Sequence, residues 1–122
     1  MTVLVATLAL AAGVHHHEGC NTNVCERRVD RKEHAKTVRR WRATARPFRP
    51  WLAKVRWCES RSNYRAISPD GTYTGAYQFD DQTWTSVGGT TRRAMWAEPM
   101  EQDYRAVRLR MARGVAPWPV CG

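Results

Sequence analysis

The hydrophobic positions of this chain fall into helical stripes that are separated by polar breaks. Apolar residues recur at i, i+4 and i+7 over residues 51–58, and again at i, i+4, i+7 and i+11 after Pro99. Each spacing places side chains on one helical face and predicts a helix. Residues 26–45, which are rich in Arg, Lys and Glu, carry a thinner stripe of Val38, Trp41 and Ala45. That thin stripe predicts a helix that lies on another surface or stays exposed to solvent.

Proline, aspartate and glycine mark the expected ends of these helices. Two prolines within residues 46–50 should end the first helix, so we place a domain boundary there. Asp80 or Asp81 can cap a further helix over residues 81–87, which Gly88-Gly89 then stops. Pro99 suits the first turn of the last helix, and Gly114 is expected to end it.

The region between these helices reads as loop, with a short β-ribbon around residues 71–75. Three short helices and a ribbon predict an α+β domain, mainly helical, over residues 51–122. Residues 15–50 form a basic, cysteine-containing arm and linker before it, and residues 1–14 form an apolar segment that resembles a signal peptide. A chain of 122 residues has room for one such domain.

Charge is concentrated in the middle of the chain. The net charge is +9, and residues 26–56 alone hold 12 Lys and Arg against three acidic residues. Such a stretch attracts polyanions, among them nucleic acid, anionic lipid and the anionic polymers of bacterial walls. It is equally compatible with a solvated linker.

The apolar run over residues 3–14 suits the core of a signal peptide and is too short to span a bilayer comfortably. Ala9-Leu10-Ala11 offers a small-x-small cleavage site, although no basic residue precedes the run. The expectation is a secreted protein, and no other segment is long and apolar enough to cross a membrane.

Four cysteines are an even number, and their placement suggests the pairs Cys20 with Cys25 and Cys58 with Cys121. An oxidising compartment outside the cytoplasm would allow both, although four cysteines permit three pairings. Residues 15–17, three consecutive histidines, raise a zinc hypothesis. Adjacent histidines cannot all reach one ion without an irregular backbone, so no metal and no cofactor is expected.

Glu59 is the candidate for chemistry. It lies where the helix over residues 51–58 runs out, among Trp57, Tyr64 and Tyr77. Aromatic surroundings remove water from a carboxyl group, which raises its pKa and keeps its proton on near neutral pH. A protonated carboxyl is what a general acid needs. The alternative is a solvated glutamate at a helix end.

The motifs of residues 51–121 resemble those of actinobacterial resuscitation-promoting factors, specifically their transglycosylase-like domain. They occur in the order and at the spacings of that family, and they cover about 70 of the 122 residues. The matching pieces are Trp51-Leu52-Ala53, Cys58-Glu59-Ser60, Gly75-Ala76-Tyr77-Gln78-Phe79, Gln82-Thr83-Trp84, Gly88-Gly89, Glu101-Gln102 and Trp118-Pro119-Val120-Cys121.

The resemblance implies a small lysozyme-like fold that cleaves the glycan strands of peptidoglycan. It implies Glu59 as the catalytic acid, a disulfide between Cys58 and Cys121, and no cofactor. It further implies a sugar groove lined by Gln78, Thr83 and Trp84, to which we add Tyr77 as a candidate. Each of these four also has a structural reading: Trp84 as a core residue, Gln78 as a partner for backbone groups of the ribbon, Thr83 as a cap or packing residue, and Tyr77 as a structural aromatic. Trp118 is expected in the core. The protein is expected to be a monomer.

This chain departs from the family pattern at three places. Arg61-Ser62 and Gly75-Ala76 stand where the family usually has Gly-Gly, and Arg113 replaces a glutamine near the end of the last helix. Glycine tolerates positive φ and close approach of a ligand, so these changes bear on activity. Arg61 would lower the pKa of Glu59 if it pointed towards the carboxyl group.

Two other functions are compatible with the same sequence. One is a peptidoglycan-binding module with weak catalysis, which the lost glycines favour. The other is a basic nucleic-acid-binding protein, which only the arm favours. The apolar start, the paired cysteines and the nearly neutral domain argue against nucleic acid as a partner, and favour peptidoglycan.

Overall fold

The computed structural model describes residues 22–122, and this part of the chain is mainly helical. Its α-helices are α1 (Thr22–Ala45), α2 (Arg49–Ser60), α3 (Asp81–Ser86) and α4 (Pro99–Arg113), with 3-10 turns at Arg46–Phe48 and Ala94–Trp96. The signal-like segment over residues 1–14, the histidines at 15–17 and the expected partner of Cys25, Cys20, lie outside the described residues.

The ends of the helices follow the local signals in the sequence. Helix α2 begins at Arg49, and Pro50 lies in its first turn. Backbone N–H groups in a first turn have no carbonyl partner within the helix, so proline, which lacks an N–H, is tolerated there. Asp80 caps α3 because its side chain accepts a hydrogen bond from the backbone N–H of Thr83. Gly114, with φ of 63°, ends α4.

The core lies where α2 and α4 meet the loops that follow them. Leu52 and Val55 of α2 and Val107 and Leu109 of α4 are all buried in one hydrophobic cluster. The rings of Phe79, Trp84 and Trp118 complete this cluster, and Trp118 is only 4% exposed, as expected of a core residue. Burial of this apolar surface is the main favourable contribution to folding.

The buried face of α4 differs from the predicted stripe. Met111 belongs to that stripe by spacing but is 61% exposed, whereas Glu101 and Gln102 are buried. Both polar side chains have hydrogen-bond partners, which removes most of the cost of burying them. Hydrophobic spacing alone therefore misplaced part of the inner face of this helix.

The basic helix α1 packs against α4 along its thin apolar stripe. Trp41 is 8% exposed, and its ring stacks on Tyr104 with 5.9 Å between centroids. The guanidinium of Arg105 lies 5.8 Å from the same ring. Towards the other end of the interface, His34 lies 3.2 Å from the carboxylate of Glu98. Neither α1 nor any other helix of residues 22–122 is long and apolar enough to cross a membrane.

The structure does not confirm the predicted ribbon or the α+β class. Strand-like pairing within residues 22–122 is limited to two isolated antiparallel bridges, from Thr74 to Ile67 and to Phe79. Thr74 and Phe79 exchange both backbone hydrogen bonds, at 2.9 and 3.0 Å, around a loop of four residues. The chain turns away after each bridge, so the backbone pairing does not extend into strands. The loop between Thr74 and Phe79 is held by hydrogen bonds between Ala76 and the side chains of Ser60 and Gln102.

Candidate active site

Glu59 is half-buried one residue before the end of α2, on a backbone segment that is tied down on both sides. Cys58 forms a disulfide with Cys121, which links the end of α2 to the C-terminal tail. The hydroxyl of Ser60 donates to the carbonyl of Ala76 at 2.8 Å. These two links hold the backbone of Glu59 between the tail and the Thr74–Phe79 loop.

Burial raises the pKa of the Glu59 carboxyl above its ordinary value. Burial is the cause of this shift, and the guanidinium of Arg61 lies over the Trp57 ring, 5.1 Å from its centroid. The concern that Arg61 lowers the pKa of Glu59 is therefore not supported. Glu59 keeps its proton at a higher pH than a solvated glutamate does.

The segment after Glu59 retains a backbone conformation that glycine adopts most easily. Arg61 and Ser62 have φ of 57° and 60°, although neither is glycine. Their N–H groups bond to the carbonyls of Trp57 and Arg56 at 3.0 and 2.9 Å, which closes the end of α2. The left-handed conformation costs a non-glycine residue about 1 kcal/mol or more, and these two hydrogen bonds offset part of that cost.

Gln78 and Thr83 both line a cleft of about 170 Å³, whereas Glu59 does not line it. The hydrogen bond from Ser60 to Ala76 links the end of α2 to the loop that carries Gln78. The Gln78 side-chain amide donates to the carbonyl of Gly75 at 3.0 Å, which leaves its carbonyl oxygen for a ligand. The Thr83 hydroxyl donates to Asp80 at 2.9 Å and can still accept a hydrogen bond. The cleft therefore offers two polar groups, and the exposed ring of Tyr73 also lines it.

Tyr77 also lines this cleft, but its side chain is only 1% exposed. Its hydroxyl donates to Asp103 at 2.5 Å, and its backbone carbonyl accepts from the Trp118 indole at 3.0 Å. Tyr77 therefore builds the wall of the cleft and presents little surface to a ligand.

The structure corrects the prediction that Trp84 lines the groove. Trp84 is fully buried, its indole N–H donates to the carbonyl of Thr91 at 2.8 Å, and its ring packs edge-on against Phe79. Gly89 lies so close that an added Cβ would come within 2.2 Å of the indole. A side chain enclosed in this way cannot contact a sugar, so the structural reading of Trp84 is the correct one.

Compared with known protein families, residues 49–121 match the transglycosylase-like domain. The chain belongs to this family. The match confirms the resemblance predicted from the motifs, and it contains Glu59, the cleft and both cysteines of the Cys58–Cys121 disulfide. A search of curated proteins finds no relative that matches.

Membership in the transglycosylase-like family indicates a domain that acts on peptidoglycan. A wall-acting domain that carries a disulfide also points to a place outside the cytoplasm. Helix α1 precedes the residues that match the family, and it packs against the matched domain through the stacking of Trp41 on Tyr104.

Sequence reasoning missed the buried polar residues that shape this transglycosylase-like domain. The Gln102 side chain accepts from the N–H of Ala76 at 2.9 Å and donates to the carbonyls of Tyr64 and Ala97. Gly75 leaves room for it, since a Cβ there would come within 2.5 Å of its amide oxygen. The sequence pointed to these two residues only because Glu101-Gln102 is one of the family motifs.

Asp103 is the second residue that the sequence did not reveal. Its two partners, Tyr64 and Tyr77, are 39 and 26 positions away in the chain, so the contacts form only in the folded protein. It accepts hydrogen bonds from the hydroxyls of Tyr64 and Tyr77 at 2.8 and 2.5 Å. Burial, followed by the charge of Asp103, raises the pKa of Tyr64 to about 12 and raises that of Tyr77 as well. Both tyrosines therefore remain hydrogen-bond donors at physiological pH and anchor the cleft to α4.

Proposed function

We propose that this protein is a secreted enzyme, similar to resuscitation-promoting factors, that cleaves the β-1,4 bond between N-acetylmuramic acid and N-acetylglucosamine in peptidoglycan. Glu59 is its single catalytic residue and acts first as general acid and then as base. The observation that carries the proposal is the half-buried Glu59 carboxyl, whose pKa is raised by burial alone. Its held backbone, between Cys58 and Ser60, supports the same role.

In the first step, protonated Glu59 gives its proton to the glycosidic oxygen as the bond from that oxygen to the muramic C1 breaks. Positive charge develops on the muramic ring, in an oxocarbenium-like state. The Glu59 carboxylate then removes a proton from the muramic 6-hydroxyl, whose oxygen closes on C1 and leaves a 1,6-anhydro end. If water supplies the oxygen instead, the product is a reducing end.

The next carboxylates after Glu59 in the sequence, at Asp70, Asp80 and Asp81, already have hydrogen-bond or ion-pair partners. Both oxygens of Asp80 accept hydrogen bonds from Thr83, and Asp70 accepts from Ser68 and Thr72 within its own turn. Asp81 pairs with Arg93 at 3.1 Å. These contacts favour single-acid chemistry over the two-carboxylate mechanism of most glycosidases.

Sugar binding is assigned to the cleft beside the Thr74–Phe79 loop. Ser60 bonds to Ala76 in that loop, so the end of α2 lies next to the segment that carries Gln78. Gln78 and Thr83 are proposed to bind hydroxyl or acetamido groups of the glycan, and Tyr73 offers an exposed aromatic face. Tyr77 supports these groups from behind.

The test is the release of muropeptides from purified peptidoglycan, identified by mass spectrometry. Wild-type protein should release products, and Glu59→Gln should reduce release by about 100-fold or more, because the proton donor is gone. Glu26→Gln, an exposed change of the same type on α1, should have wild-type activity. Full activity of Glu59→Gln would overturn the assignment.

The products also separate the mechanisms. Anhydro ends from the wild type identify a lytic transglycosylase, whereas reducing ends identify a hydrolase. Binding to sacculi without release of any product would identify a peptidoglycan-binding module, the alternative that the side chains of Arg61 and Ser62 favour. The position of Arg61 over Trp57 argues for the enzyme, because it leaves the raised pKa of Glu59 intact.

We also propose that the exposed basic face of α1 holds the enzyme near anionic wall polymers. Arg28, Lys32 and Arg39 are exposed and lie on one side of the helix, away from the buried Trp41. Changing all three to glutamine should reduce retention on sacculi at low salt and leave cleavage of small soluble fragments unchanged. Retention equal to that of wild type at low salt would contradict this role.

Salt separates the two modes of binding and also tests the nucleic-acid alternative. Binding through exposed charges weakens as salt rises, whereas binding of neutral sugars in the cleft does not. Duplex DNA, titrated under the same conditions, should bind only at low salt and only through α1. DNA binding that survives the triple change would count against peptidoglycan as the main partner.

A further inference from the structure

Arg113 is the arginine of α4 that lines the cleft described above. Arg105 pairs with Glu101 and lies over the ring of Tyr104, while Arg110 lies 4.5 Å from the centroid of Trp51. Those two arginines are occupied by packing within the domain. Arg113, in contrast, is exposed and forms no hydrogen bond or ion pair with any residue of 22–122.

Two charged side chains line this cleft, Arg113 and Asp80, and they differ in whether they have hydrogen-bond partners within residues 22–122. Asp80 also lines the cleft, but both of its oxygens already accept hydrogen bonds from the backbone N–H and hydroxyl of Thr83. The other lining side chains with polar atoms are all neutral, namely Tyr73, Tyr77, Gln78, Thr83 and Trp118. The guanidinium is thus the one charged group lining this cleft whose hydrogen-bonding capacity is unused within residues 22–122.

We propose that Arg113 is a specificity-determining residue that binds a carboxylate carried by the glycan substrate. A guanidinium binds a carboxylate through two parallel N–H···O bonds, which a neutral amide at this position cannot do. The inference rests on the proposed function of the cleft. It predicts that this enzyme prefers muramic units with a free carboxylate over neutral sugar chains.

Two parts of peptidoglycan supply a carboxylate next to a muramic ring. One is the lactyl group of a muramic unit that has lost its stem peptide, and the other is the stem peptide itself. In peptide-bearing strands the lactyl group is an amide and carries no charge. Fragments of the two kinds therefore distinguish the sources.

The experiment measures binding in a Glu59→Gln background, so that affinity is read without cleavage. The ligands are a neutral N-acetylglucosamine tetramer, a peptide-free glycan tetramer with free lactyl carboxylates, the same tetramer with those groups converted to methylamides, and a tetramer that carries stem peptides. Arg113→Gln is compared with the parent, and Arg108→Gln is the matched control, since Arg108 is exposed on the same helix and does not line the cleft.

Arg113→Gln should weaken binding of the carboxylate-bearing ligands by about 5-fold to 10-fold and leave the neutral tetramer and the methylamide unchanged. Arg113→Lys should retain part of the affinity because it keeps the charge. Loss confined to the free lactyl ligand, or to the peptide ligand, identifies the source of the carboxylate.

Two results would overturn the inference while leaving the proposed function intact. Equal weakening for charged and neutral ligands would mean that Arg113 only shapes the cleft. No weakening for any ligand would mean that it only complements the C-terminal end of the α4 dipole. If the parent binds none of the four ligands, the proposed function itself fails and this inference fails with it.

Discussion

Glu59 lies two residues from an arginine, yet its pKa is set by burial and not by that charge. The guanidinium of Arg61 lies over the ring of Trp57, 5.1 Å from its centroid, and the backbone of Arg61 is left-handed, with φ of 57°. At the residue scale, burial of the Glu59 carboxyl is what favours its protonated form.

The rate of peptidoglycan cleavage should fall as pH rises through the raised pKa of Glu59. A raised carboxyl pKa means that the protonated, acid-competent form persists to higher pH, so the loss of activity belongs on the alkaline side. The measurement is kcat/KM against pH with soluble glycan fragments. The alkaline limb should have an apparent pKa above that of an ordinary glutamate.

Arg61→Ala provides the control for this profile. Because the guanidinium lies against Trp57, removing it should leave the alkaline limb where it is. A limb that moves upward in Arg61→Ala would show that the arginine charge does reach Glu59 in solution.

At the scale of elements, α1 contributes to the fold as well as to the charge of the protein. The sequence predicts an arm that ends at a boundary within residues 46–50, but the 3-10 turn at Arg46–Phe48 leads from α1 into α2, and Trp41 is buried on α4. Deleting the whole helix would thus remove core contacts together with the basic face. Charge changes on the exposed side are the cleaner test of wall binding.

Trp41→Ala should lower the free energy of unfolding by about 3 kcal/mol, because it removes a buried ring that Tyr104 and Arg105 contact. Urea unfolding followed by circular dichroism measures this change. Val29→Ala, on the same helix and 58% exposed, should change stability by less than about 0.5 kcal/mol. Equal effects of the two variants would mean that α1 does not dock on α4 in solution.

At the scale of the whole molecule, the C-terminal tail closes the fold around Glu59. The Cys58–Cys121 disulfide joins residues 63 positions apart, and the Trp118 indole bonds to the carbonyl of Tyr77. Lys54 of α2 donates to the carbonyl of Gly122. Trp118 and Pro117 of this tail also line the cleft, so closure of the fold and the shape of the cleft are coupled.

Replacing both Cys58 and Cys121 by serine should lower the free energy of unfolding by about 4 kcal/mol, since a loop of this length is no longer closed in the unfolded chain. Urea unfolding measures the loss. Cleavage activity should fall as well, because the tail no longer holds one side of the cleft. A double variant with wild-type stability and activity would show that the packing of Trp118 suffices to hold the tail.

The signals that the sequence carried were local ones. Proline at the start of a helix, a capping aspartate and a terminal glycine act through the backbone of neighbouring residues. The bounds of α3 and α4 therefore follow from Asp80, Pro99 and Gly114. The family is also readable from the sequence, because its motifs are short and keep their order.

Tertiary structure alone decided which side chains of those motifs face solvent. Trp84 is enclosed by Phe79 and Gly89, and Arg113 lines the cleft beside Thr83, thirty positions earlier in the chain. The burial and the pKa of a side chain depend on everything packed around it, including segments remote in the sequence, whereas spacing along one helix specifies only a face. For this reason the sequence sufficed to nominate Glu59, while the environment that lets it hold a proton is a property of the folded chain.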